Sequence, residues 1–438
     1  MKISDKPFNI CWFRRDLRIE DNHALFESLN DGPTLPLFIF DQKILFALED
    51  KSDARVQLIH DCISSIKAEL EKNGGSILVV YGNPLDVIGK LISDNKVEAI
   101  YTNRDYEPYA RARDTEVYNL LESKNIPFRT FKDHVIFEKK EVVKDDSKPY
   151  SVFTPYSRKW KSRLTDADLE HFPSEKKLKS LLSVNSLPFP RLDEIGFSRS
   201  RFEIPTSKPN LQIISGYSAT RDFPALHGTS RLGVHLRFGT ISIRSLVKKA
   251  HTISPKFLDE LIWREFYQMI IFFFPQTVNK SFHEKYDRIA WENDPKKFEK
   301  WCSGKTGYPI VDAGMRELNE TGYMHNRVRM VVASFLTKHL LIDWRWGEKY
   351  FASKLLDFEL ASNVGGWQWA AGCGCDAAPY FRVFNPTLQQ EKFDPKMIYI
   401  KRWVPEISTN NYPKPIVEHT FARNRAIATY KSALQGAT

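Results

Sequence analysis

The hydrophobic rhythm of the chain changes about a third of the way along. Up to residue 135, short apolar runs at 10–13, 35–40, 77–81 and 99–102 read as buried strands, with helical patterns at 54–71 and 85–93 between them. Asp53 stands where it can cap the first of these helices, and Asn73-Gly74-Gly75 where it can end it. This alternation predicts a parallel, Rossmann-like α/β sheet, assigned to residues 1–135. From 136 to 208 the sequence turns polar and irregular, apart from YSVFTPYSRKW at 150–160, and reads as an interdomain linker. Beyond it, apolar residues recur at three and four, as at 260–273, 312–319, 325–341 and 350–356, so residues 209–438 are expected to form an all-α domain. No repeat of fixed period and no low-complexity tract interrupts either part.

Charge sharpens this division. The first 130 residues hold 17 Lys and Arg against 21 Asp and Glu, while the remainder holds 47 against 33. A positive excess confined to the helical part suits a polyanion such as nucleic acid, although a solubilising surface would look the same. The 438 residues are enough for two folding units, each with its own core. Five scattered cysteines argue for a reducing compartment without a disulfide framework, and Cys373-Gly-Cys375 lacks the second pair that a zinc site needs, so no metal is expected. The longest apolar run, 269–274, is too short to span a bilayer, and MKISDKPFN has no signal-peptide core. The expectation is a monomeric cytoplasmic protein with no membrane partner.

Three clusters carry candidate chemistry. In ELIWREFY, Glu260, Trp263 and Arg264 fall at i, i+3 and i+4 and share one helical stripe. TGYMHNRVRM places Asn326 and Met330 on one side of a helix, with Arg327 and Arg329 on the neighbouring sides. The segment 361–386, ASNVGGWQWAAGCGCDAAPYFRVFNP, sets an amide, two tryptophans and a double glycine together without the periodicity of core packing. Each also has a plain structural reading: tryptophans fill cores, and basic helix faces are often only solvated.

Together the three clusters resemble the flavin-binding half of the DNA photolyase/cryptochrome family, nearest to class I cyclobutane pyrimidine dimer photolyases. WFRRDLRIEDNHAL at 12–25 is a further signature of that family, and the likeness extends over nearly the whole chain. The resemblance implies FAD, active as FADH⁻, held by Tyr217, Thr229, Ser230, Arg231, Leu232 and Gly233 near its phosphates, by Arg329, Asp357 and Asn363 near its ring, and also by Arg264 and Glu359. A serine usually stands where this chain has Gly233, which removes one hydroxyl contact. Asn363 takes the place opposite flavin N5, and Val364 replaces a second Asn common in bacterial members. Trp291, Trp344 and Trp367 match a chain of indoles that carries electrons from the surface to the flavin. For DNA, the resemblance implies that Glu260, Trp263, Asn326, Met330 and Trp369 line the lesion pocket, and that Arg221, Arg327 and Gln389 meet the strand, with Arg382 either there or structural.

The resemblance therefore implies an enzyme, a carbon-carbon lyase that repairs cyclobutane pyrimidine dimers by light-driven electron transfer to a flipped-out lesion. A 6-4 photoproduct enzyme is expected to carry paired histidines, yet Asn326 follows His325. A cryptochrome-type blue-light sensor, the other alternative, usually extends well past the helical domain. An antenna chromophore is left open between deazaflavin, flavin and folate. NRDYEPYARARD at 103–114 is more like the first two, because Tyr109 and Ala110 replace the Asn-Glu pair expected for folate.

Overall fold

Strands β1 (Phe8–Phe13) and β2 (Thr34–Asp41) are buried along their whole length, as central strands covered on both faces must be. They belong to the first of two compact units in the computed structural model, which describes residues 1–435. With β3 (Leu78–Gly82), β4 (Val97–Asn103) and β5 (Phe128–Phe131) they form a parallel sheet of order β3-β2-β1-β4-β5. Helices α1 (His23–Asp31), α2 (Gln42–Phe46), α3 (Ala54–Lys72), α4 (Pro84–Asp94) and α5 (Pro108–Glu122) connect the strands. The order reverses at β1 and β4, the arrangement of an open doubly wound sheet. The Asp53 carboxylate accepts the Arg55 amide and starts α3 as expected, and the Gly75 amide closes its end on the Leu70 carbonyl.

The unit that carries the sheet comprises residues 1–141, 162–209 and 232–252; the other comprises 142–161, 210–231 and 253–438. The helical pattern beyond 209 is observed throughout, but α8 (Gly233–Phe238) and α9 (Ile243–Ile253) pack with the sheet unit. Within the stretch read as a linker, α6 (Phe153–Arg163) packs with the helical unit. Its buried residues Tyr156, Ser157 and Trp160 form one face. Trp160 donates its indole N–H to Glu265 at 2.9 Å, and Tyr156 packs on Phe266.

The helical unit contains α7 (Leu211–Thr220), α10 (Pro255–Phe273), α11 (Pro295–Cys302), α12 (Pro309–Thr321), α13 (Asn326–Ser334), α14 (Trp344–Lys354), α15 (Leu360–Ala371), α16 (Pro386–Phe393), α17 (Ile398–Trp403) and α18 (His419–Gln435). One extended helix was expected over 325–341; instead α13 gives way to a π turn at Phe335–His339. Lys338 lies buried there, donating to the carbonyls of Ala371 and Tyr380, a pair of bonds that side-chain periodicity does not reveal. The unit's core gathers Trp301, Phe335, Trp344 and Trp367 among aliphatic side chains.

Candidate active site

Helix α10 is capped by Ser254 and carries Pro255 at its first position, a start that fixes its angular phase. From that phase follow Lys256, Glu260, Trp263, Arg264 and Tyr267, spaced by three and four, which line one wall of a cavity of about 390 Å³. Helix α13 supplies Asn326, Arg329 and Met330; the turn before α15 supplies Asp357 and Glu359; α15 itself supplies Asn363, Trp367 and Trp369. Two close approaches shape the floor. A Cβ at Gly365 would lie 2.2 Å from the Tyr267 ring, and one at Gly347 would lie 2.1 Å from the Trp367 indole. Only glycine allows α15 to come so near α10 and α14.

Charge in this cavity is paired. Arg264 meets Glu359 at 2.9 Å, and Arg329 meets both oxygens of Asp357 at 3.0 and 3.1 Å while its Nε donates to the Met324 carbonyl. Arg221 binds Glu260 directly, so the carboxylate placed among aromatics by its spacing has a cationic partner in the wall. Such pairs offset much of the cost of placing charge in a partly dry cavity, and removing one partner leaves the other exposed to that cost. Arg327 turns away from the cavity to Asp222 at 2.7 Å and lies over the Phe393 ring.

Asn363 donates its amide N–H₂ to the backbone carbonyl of Glu348 at 3.1 Å and to its carboxylate at 2.9 Å. The amide oxygen is thereby left as an acceptor on a residue that lines the cavity. Burial raises the Glu348 carboxyl, and the Asn363 hydrogen bond pulls it back. Sequence reasoning passed over Glu348. The one available signal was its place four residues after Trp344, on a helix whose cap, Asp343, goes unnoticed without the structure.

The other expected residues are distributed unevenly. Trp367 lines the cavity and rests against Phe351 and Trp301, with ring centroids at 5.0 and 6.1 Å. Trp344 is buried, and its indole N–H has no partner among the described residues. Trp291, half-buried, packs on the same core and meets Tyr430 edge-on at 5.9 Å. Tyr217, Thr229, Ser230 and Arg231 lie outside the cavity wall. Thr229 pairs its hydroxyl with that of Tyr323, and Arg231, at φ +53°, covers the Tyr323 ring at 4.4 Å. Leu232 and Gly233 belong to the sheet unit. Gln389 sits on α16, also outside the wall, and Arg382 is exposed. All five cysteines are free, and burial pushes the Cys373 and Cys375 thiols up to about 12.

Residues 9–176 match the DNA photolyase family model, and residues 257–411 match the FAD binding domain of DNA photolyase. Deoxyribodipyrimidine photo-lyase of Escherichia coli K12 is 37% identical over 98% of this chain and 99% of its own length. The chain belongs to the DNA photolyase family. Among solved structures, a bacterial class III photolyase from Agrobacterium tumefaciens superposes with a TM-score of 0.87 at 34% identity, covering 99% of each chain. An archaeal photolyase from Sulfolobus tokodaii, described with two FAD molecules, superposes at 0.82 and 33% identity over 98% of this chain and all of that one. The site suits the flavin that this family membership implies. Asn363 offers an acceptor, Arg329–Asp357 and Arg264–Glu359 offer fixed polar edges, and the aromatic walls offer stacking faces, in a volume typical of small-molecule pockets. Among the described residues no group of three His, Cys, Asp or Glu could hold a metal, and no helix is long and apolar enough to cross a membrane.

Proposed function

We propose that this protein is a light-driven DNA repair lyase that splits pyrimidine dimers in the cavity between α10, α13 and α15. The observation that carries the reading is the common wall. Asn363 and Asp357, which the family resemblance assigns to the flavin, and Glu260, Trp263, Asn326, Met330 and Trp369, which it assigns to the lesion, line one cavity of about 390 Å³. When bound, FADH⁻ supplies under blue light an electron that the dimer takes up, uses to open its cyclobutane ring, and gives back.

The residues of the chain provide the setting. Trp263 and Trp369 present indoles to bases turned out of the duplex, which lose their stacking partners on leaving it. Glu260, steadied by Arg221, is positioned to accept hydrogen bonds from a pyrimidine edge. Arg329 and Asp357 would hold a fixed dipole for the flavin, and Asn363, held by Glu348, would offer it an amide oxygen as acceptor. Trp367, Trp344 and Trp291 would serve as a route for electrons from the surface; all three belong to or pack on one core. Lys256 at the cavity and the basic excess of the helical part draw the DNA backbone, with Arg327 and Gln389 near the strand. An antenna pigment in the sheet unit would add light capture, and a spectrum of the purified protein would identify it.

Repair assays on oligonucleotides carrying either a cyclobutane dimer or a 6-4 photoproduct, in light and in dark, test the reading. Light-dependent loss of the cyclobutane dimer alone is expected. A colourless protein that takes up no flavin, or dimers that persist under light, would refute it.

A further inference from the structure

The segment that reads as a linker backs one of the side chains in the cavity wall. Phe153, the first residue of α6, lies parallel to the Trp263 indole at a centroid distance of 3.8 Å and an interplanar angle of 6°. Trp263 lines the cavity and Phe153 does not, so the phenyl ring covers the indole from behind. Phe266 meets both rings edge-on, at 6.0 Å from Phe153 and 5.6 Å from Trp263. The helix is tied to α10 at three further points: Tyr156 on Phe266, Trp160 to Glu265, and Lys161 to Asp259 at 2.6 Å. In addition, the Phe153 amide donates to the Asp376 carboxylate at 3.1 Å. Asp376 follows α15, which carries Trp369, and adopts the left-handed backbone at φ +49°. One residue therefore touches both aromatic walls, its ring on the first and its amide on the loop that leaves the second.

An indole held on one face is fixed in rotamer before any ligand arrives, so a base stacking on the other face does not incur the ordering cost of a free side chain. We infer that Phe153 is a positioning residue for lesion recognition: it seals one face of Trp263 and presents the other, flat and immobile, to a single base of the extruded pair. The inference rests on the proposed reading of the cavity as the lesion pocket.

The test uses flavin-loaded full-length protein and equilibrium binding in the dark to an oligonucleotide with one cyclobutane dimer. Phe153→Ala should weaken that binding about three- to tenfold, the range a stacked aromatic pair contributes. Affinity for undamaged DNA should hold, and the loss should fall on the dissociation constant rather than on repair per absorbed photon at saturating lesion. Phe153→Tyr, which keeps the flat ring, should restore binding. Phe153→Leu keeps apolar volume for the fold without the flat face, and should bind as weakly as the alanine variant. In a Trp263→Ala background, Phe153→Ala should add no further loss. Wild-type affinity in Phe153→Ala and Phe153→Leu, no rescue by tyrosine, or additive losses in the double variant would each overturn the assignment. Wild-type protein that cannot tell dimer-containing from undamaged DNA would overturn the cavity reading itself, and this inference with it.

Discussion

Both units bury arginine beside carboxylate, but to opposite ends. In the sheet unit, Arg18 and Arg244 converge on Asp133, and Arg244 also holds Asp21; the four side chains keep 8, 5, 0 and 1% of their surface. Burial raises the Asp133 carboxyl, yet the two guanidinium charges and their hydrogen bonds outweigh it and hold the group well below the usual carboxylate range. In the helical unit, Arg329 and Asp357 keep 24 and 22%, and Arg221 and Glu260 keep 18 and 27%. The first network is almost wholly withdrawn from solvent, although Asp21 and Arg244 also border a surface pocket, and it lies within the scaffold of the sheet unit. The second retains an open side toward the cavity, where a ligand can complete it. Degree of closure, rather than the presence of buried charge, separates scaffold from site.

The comparison breaks most sharply at Asp133. Asp133→Ala strips two buried guanidiniums of their shared partner and should cost about 3–5 kcal/mol of stability, read as a large fall in the denaturation midpoint; a fall of less than a third of that would mean the network is not closed. A titratable group whose nearby carboxylate is outweighed by burial and by neighbouring arginines offers a third case. His325, 97% buried, is pushed down to about 4 by burial first and by the Arg329 charge next, with Asp222 opposing. Because the folded value lies below the ordinary one, the stabilisation is complete above about pH 6.5 and is lost as pH falls through 4. Wild-type protein should lose about 3 kcal/mol across that window from this group. His325→Asn keeps a capping side chain for α13 and should flatten that part of the pH–stability curve; an unaltered curve would remove His325 from the account.

Smaller effects test the open side. Asp357→Asn should cost flavin affinity roughly tenfold, about 1.4 kcal/mol, while moving the melting temperature of the flavin-free protein far less than Asp133→Ala does. Equal damage to both would erase the distinction between site and scaffold. Trp291→Phe should barely touch stability. It should slow photoreduction of oxidised flavin yet leave repair by chemically reduced protein nearly intact, and equal loss in both assays would end its role as a relay.

Features repeated along the chain were legible in advance. Four strands announced themselves as uniform apolar runs, and Glu260, Trp263, Arg264, Asn326 and Met330 reached the cavity because a helix converts spacing into direction. The fifth strand escaped because FRTF at 128–131 mixes charge and hydroxyl into an edge position that needs neither face fully apolar. Phe153 and Glu348 escaped for a different reason. Each matters through a contact over 100 or 15 residues of sequence, with Trp263 through α6 packing on α10 and with Asn363 through α14 packing on α15. The hydroxyl cluster around Thr229 was expected at the flavin phosphates mainly by likeness; locally, Thr229 and Arg231 are engaged with Tyr323.

Gly347 has a consequence for colour. With a hydrogen where other residues carry a carbon, the helix bearing Glu348 leans on the rim of the Trp367 indole, leaving no slack between them. A single methyl added there would act as a shim against the indole and Leu336, so the indole, or the helix whose carboxylate steadies Asn363, would have to give way. Position 347 is thus a tuning screw, and its setting should be visible as a displaced absorption band before any loss of repair is measured.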